Sequence, residues 1–80
     1  METFATTAEF RAWCDRYPNA YVVNVLGPDE KMLHRAGCWH LEEFTDRPAN
    51  LVANPKYGFY MRDRAKAYHA NARLCATCAP

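Results

Sequence analysis

An α+β fold is what this sequence predicts, and three observations carry the prediction. A capping signal opens an amphipathic helix near the N-terminus, and a β-branched run ends in Gly-Pro-Asp-Glu before a second apolar stretch. A second helical pattern then runs toward a Cys-x-x-Cys pair. Together they predict an N-terminal helix, a short antiparallel sheet of two or three strands, and a C-terminal helix leading into a cysteine knuckle. Eighty residues leave room for a single domain, expected to span 1–80, with one small core.

Each element has a local reason. Thr6-Thr7-Ala8-Glu9 has the form of a capping box, in which the Thr6 hydroxyl accepts from the Glu9 N–H and the Glu9 carboxylate reaches back. Phe10, Trp13, Cys14 and Tyr17 follow at i, i+3, i+4 and i+7, one apolar stripe of a helix. Pro18 ends it, because the residue before a proline is pushed out of the α region. Cys14 lies in that stripe and reads as a buried core thiol, the alternative being a reactive or ligating cysteine.

Tyr21 to Leu26 is β-branched and aromatic, and Gly27-Pro28-Asp29-Glu30 turns the chain toward Met32-Leu33, so the segment reads as a β-hairpin. Residues 42–55 hold two prolines and two asparagines among mixed charges and read as a connection. Lys56 to Met61 supplies a third short strand. Asp63 offers an N-cap to a helix from Arg64 to about Arg73, with Ala65, Tyr68 and Ala72 on one face.

Composition narrows the function classes. Half of the residues are hydrophobic and 24% are charged, which is a globular balance. Net charge is only +1, yet residues up to 55 carry five basic against eight acidic side chains, whereas 56–80 carry five basic against Asp63 alone. The C-terminal third is therefore basic. No apolar run is long enough to span a membrane, and the first residues lack the basic and apolar regions of a secretory signal, so the expected location is the cytoplasm. In a reducing compartment, clustered cysteines point to metal or redox chemistry rather than to disulfides.

Two residue pairs have the spacing of metal ligands. His34 and Cys38 are separated by three residues, Cys75 and Cys78 by two. Each short turn lets two side chains converge on one ion, and local N–H groups can donate to the sulfurs. The Cys-x-x-Cys pair also occurs as a redox motif, but that motif belongs at a helix start, and here the pair follows a helical pattern. Three sulfurs and one imidazole favour Zn2+ over hard cations. His40, two positions from Cys38, is the alternative to His34; the longer H-x3-C loop is the easier chelate. His69 reads as a surface residue. Four protein ligands leave no open position on the ion, so the site reads as structural, and chelation should erase much of the tertiary structure.

The run Leu33-His34-Arg35-Ala36-Gly37-Cys38, with Cys75-Ala76-Thr77-Cys78-Ala79-Pro80, resembles the metal-binding domain of Ada-type DNA methylphosphotriester repair proteins. It is also similar to zinc modules found beside bacterial nucleases, whose pattern includes H-R-x-x-C and C-x-x-C-x-P. The resemblance covers roughly residues 31–80. It implies a zinc scaffold with contact to nucleic acid. In the repair proteins the methyl-accepting cysteine is the first ligand, and the matching position here is His34, so the resemblance does not imply methyl transfer.

Two classes of function follow. The first is a nucleic-acid-binding or nuclease-accessory module, with Lys56, Arg62, Arg64, Lys66 and Arg73 on phosphates and Tyr57, Phe59 or Tyr60 stacking on bases. The second is a protein-interaction module or small regulator of a larger enzyme, anchored by residues such as Trp13, Trp39 and the tyrosines. Trp39 reads either as such an anchor or as a cover over the metal turn. No Ser/His/Asp set and no phosphate-binding glycine loop appears, so an enzyme is not expected. The expected oligomeric state is a monomer.

Overall fold

A computed structural model describes residues 1–39, 41 and 54–80. Its elements in chain order are α1 (Thr7–Arg16), β1 (Tyr21–Gly27), β2 (Glu30–Arg35), β3 (Lys56–Phe59), α2 (Arg62–Tyr68) and β4 (Arg73–Leu74). The strands form one sheet in the order β3-β1-β2-β4. β1 is antiparallel to both β2 and β3, whereas β4 runs parallel to β2. The expected antiparallel sheet of two or three strands is thus a mixed sheet of four among the described residues. The fourth is a two-residue pairing, too short to leave any periodic trace in the sequence.

α1 begins where its cap predicts. Thr6 is extended, and its Oγ1 accepts from the Glu9 N–H at 3.1 Å. The returning contact differs from the expected box: the Glu9 carboxylate accepts from the Ala5 N–H at 3.1 Å, one residue before the cap. Phe10, Trp13 and Cys14 are the buried residues of the helix, and the Tyr17 N–H closes it on the Trp13 carbonyl.

β1 buries Val22, Val23 and Asn24 in succession, which requires both faces of the sheet to be covered. On one face Val22 joins Phe10, Trp13, Cys14, Ala36, Cys38 and Cys75. On the other, Val23 and Leu33 meet Phe59, Ala65 and Ala72. Cross-strand register carries these assignments outward from β1: Val22 lies opposite His34 and Gly58, and Val23 opposite Leu33 and Tyr57. His34 is therefore on the α1 face. Gly58 has to be a glycine here, since a Cβ would lie 2.9 Å from the Trp13 ring and 3.1 Å from Phe4.

The second helix departs from its expected limits. It spans Arg62–Tyr68 with Met61 at the N-cap, and no side chain caps it; Asp63 lies within the first turn. It ends at His69, and the chain re-enters the sheet as β4. The Cys75 and Cys78 knuckle accordingly follows a strand, not a helix end. Ala65 and Ala72 are buried as the pattern required, whereas Tyr68 is exposed. Residues 42–53 of the expected connection lie outside the described residues.

Candidate metal centre

The first ligand pair is positioned by the hairpin. His34 is a buried residue of β2, and the chain leaves the strand through Ala36-Gly37, where two bonds tie it to the end of α1. The Ala36 N–H donates to the Ala20 carbonyl at 2.8 Å and the Gly37 N–H to the Pro18 carbonyl at 3.1 Å. A Cβ on Gly37 would sit 3.3 Å from that Pro18 oxygen. The Cys38 N–H then donates to the Arg35 carbonyl at 3.0 Å, a tight turn that returns the buried Cys38 toward His34.

The second pair is positioned by β4. Its parallel pairing sets Arg73 opposite Met32 and Leu74 opposite Leu33, and the Cys75 N–H donates to the Leu33 carbonyl at 3.0 Å. Cys75 thus arrives beside His34 by main-chain bonding. Beyond it, the Arg35 N–H donates to Cys78 Sγ at 3.2 Å and Arg35 Nε to the Cys78 carbonyl at 3.2 Å. An N–H aimed at a sulfur is the kind of contact that orients a metal-ligating cysteine. The Ala79 N–H closes the knuckle on the Cys75 carbonyl, with Ala79 at a left-handed φ of 46°.

His34, Cys38, Cys75 and Cys78 come together as one group whose ligand atoms all lie within 4.8 Å of one another, and they could hold a metal ion. Donors around a tetrahedral zinc stand roughly 3.5–3.8 Å apart, so the group is at most about 1.3 Å wider than that geometry. Three of the four are buried and Cys78 is partly exposed. No carboxylate among the described residues belongs to the group, and none of the four cysteines forms a disulfide. This donor set is soft, which fits a thiophilic ion. Cys14 is outside the group; burial, with the Asp15 charge adding to it, pushes its thiol up to about 12, so it is protonated at neutral pH. His40 lies outside the described residues.

The five basic residues do not converge in the same way. Lys56 is buried, 3% exposed, with Nζ donating to the Asn54 carbonyl at 3.2 Å and lying 5.8 Å from the centre of the Phe10 ring. Burial holds its pKa below the ordinary lysine value. Lys66 donates to the carbonyls of Ala70 and Ala72 at 3.3 Å each, and Arg73 pairs with Glu30 at 3.2 Å. Arg64 is exposed and Arg62 half-exposed. Of the aromatic residues proposed for stacking, Phe59 is buried, Tyr57 half-buried and Tyr60 exposed. Trp39, beside the ligand turn, is exposed as well.

Two side chains, one at the cluster and one on the opposite face, lie otherwise than the sequence suggests. Arg35 braces Cys78 through its backbone and side chain, which no spacing rule reveals. His69, expected at the surface, is half-buried: its ring stacks on Tyr57 at 5.3 Å, and both ring nitrogens are shut off from solvent without a hydrogen-bond partner among the described residues. Burial, then the Lys31 charge, keeps its pKa below the usual 6.5. No helix among the described residues is long and apolar enough to cross a membrane. No protein-family model, no curated protein and no solved structure matches this chain.

Proposed function

We propose that the protein is a structural zinc module that acts by binding and not by catalysis. The observation that supports this most is the approach of one imidazole and three thiols to within 4.8 Å across two strands distant in sequence. Zinc bound there would join β2 to β4 as a structural crosslink, using all four ligands and leaving no position for a reacting water. Three thiolates and Zn2+ together add −1, bringing the net charge of +1 to about 0. The zinc scaffold is what we retain from the resemblance to the methylphosphotriester repair domain. Its nucleophile is not retained, because His34 occupies that place.

Native mass spectrometry of protein purified under reducing conditions should find one zinc per chain, and Cys75→Ser should abolish it. Excess chelator should remove the near-UV circular dichroism of the tertiary structure. A spectrum unchanged after verified metal removal would falsify the structural role.

Of the two kinds of partner, a protein is favoured over a nucleic acid. With Lys56 buried and Lys66 and Arg73 engaged within the chain, the basic third offers Arg62 and Arg64 in place of five phosphate contacts. The nucleic-acid reading keeps its own test: affinity for DNA or RNA falling steeply across a salt series, with a log-log slope of several units.

A further inference from the structure

Tyr60 stands between two surface hollows. One, of about 240 Å3, is lined by Met1, Phe59, Tyr60, Met61, Arg64 and Tyr68. The other, of about 290 Å3, is lined by Tyr60 together with Arg16, Tyr17, Pro18, Asn19 and Ala20. The Tyr60 ring between them is fixed from behind. Its hydroxyl accepts from Trp13 Nε1 and donates to Glu2 Oε1, each at 3.3 Å, and Tyr17 meets its ring edge-on at 5.2 Å.

Despite those anchors, Tyr60 is 54% exposed, Met61 60% and Tyr68 61%, and Met1 beside them is exposed too. Large apolar side chains exposed singly need no explanation, but several lining one hollow mark an interaction surface. Among the described residues, the charged side chain in each lining is an arginine, Arg64 on one side and Arg16 on the other. The Glu2 carboxylate, the acidic group next to Tyr60, is occupied by the phenol.

We propose that this face binds a partner protein through a short segment carrying apolar side chains beside carboxylates. The proposal deepens the reading of the chain as a binding module and does not depend on which metal fills the cluster. Hollows walled by thioethers and rings accept apolar side chains, and methionine adapts to their shape. A rigid ring already held by Trp13 and Glu2 loses little entropy on binding. The arginines select the sign of the partner's charge. A nucleic-acid strand would need several cations along its path, and those of the C-terminal third are mostly engaged within the chain.

The test pans a displayed library of random peptides, roughly a dozen residues long, against the full-length chain loaded with zinc. The expected winners carry Asp or Glu next to Leu, Ile or Phe. Labelled copies of them should bind about ten-fold more weakly, or worse, to Arg64→Glu and to Met61→Ser, two surface changes that leave the circular dichroism intact. Arg16→Glu, across the Tyr60 ring, is a second charge reversal with the same expected direction. Winners of basic character, no enrichment over an unrelated bait, or unchanged affinity for all three variants would overturn the proposal. So would binding of labelled oligothymidylate that these variants weaken, or self-association in sedimentation that Met61→Ser abolishes; those outcomes assign the face to nucleic acid or to a second copy. Zinc is counted on the same samples, so selective peptide binding by a metal-free chain would uphold this proposal while refuting the zinc reading.

Discussion

On the α1 face of the sheet, Phe10, Trp13 and Val22 supply bulk, and the His/Cys cluster lies among them; on the α2 face, Val23, Leu33 and Phe59 meet a helix that contributes little more than Ala65. A buried phenylalanine or tryptophan removes several times the apolar area of an alanine. α1 can therefore stay in place by its own side chains. α2 packs by small contacts and depends on what holds its two ends, β3 before it and β4 after it. A metal held by the His/Cys cluster, although on the opposite face, would fix β4 through Cys75 and so indirectly secure α2.

Metal removal is the strongest way to break that contrast. Structural zinc in small domains contributes on the order of 10 kcal/mol. In hydrogen exchange after chelation, amides of residues 65–75 should lose protection before those of Val22 and Val23; loss from α1 first would reverse the comparison. A smaller perturbation targets the bulky face. Gly58→Ala places a methyl against the Trp13 ring, where a Cβ would lie 2.9 Å away, and should destabilise by about 1–3 kcal/mol in urea melts. Thr6→Ala removes the Oγ1 acceptor of the Glu9 N–H and should cost about 1 kcal/mol.

The smallest effect sharpens the other face. Burial, and then the Lys31 charge, holds the pKa of His69 below its ordinary 6.5. The unfolded chain takes up the proton more readily, so stability from this residue is present above pH 6.5 and is lost as pH falls below it. His69→Phe keeps the stacking on Tyr57 and should flatten this slope. Equal slopes in melts of the two proteins between neutral and mildly acid pH would count against it.

What the sequence disclosed depended on how local each signal was. The cap at Thr6, the stripe through Phe10 and Trp13, and the turn at Gly27 to Glu30 act within a few residues, and the structure follows them. The ligand pairs are likewise local, and His34, Cys38, Cys75 and Cys78 do come together. β4 is hidden in the sequence because its two residues pair with β2, about forty positions away, so Ala72 looks like one more turn of helix. The burial of Lys56 was hidden for a related reason: a charge count cannot register that its ammonium lies over Phe10.

The bond from the Arg35 N–H to Cys78 Sγ has a further consequence. An open strand edge invites another chain to pair with it, a common route to aggregation. Along the outer edge of β2, β4 covers Met32 and Leu33, and the next donor, at Arg35, is taken by sulfur. At the other margin of the sheet, Glu2 exchanges two main-chain bonds with Gly58 on β3. Both borders thus carry a guard drawn from another segment of the same chain, so the turn that brings Cys78 to the His/Cys cluster also denies the sheet to a stranger's strand.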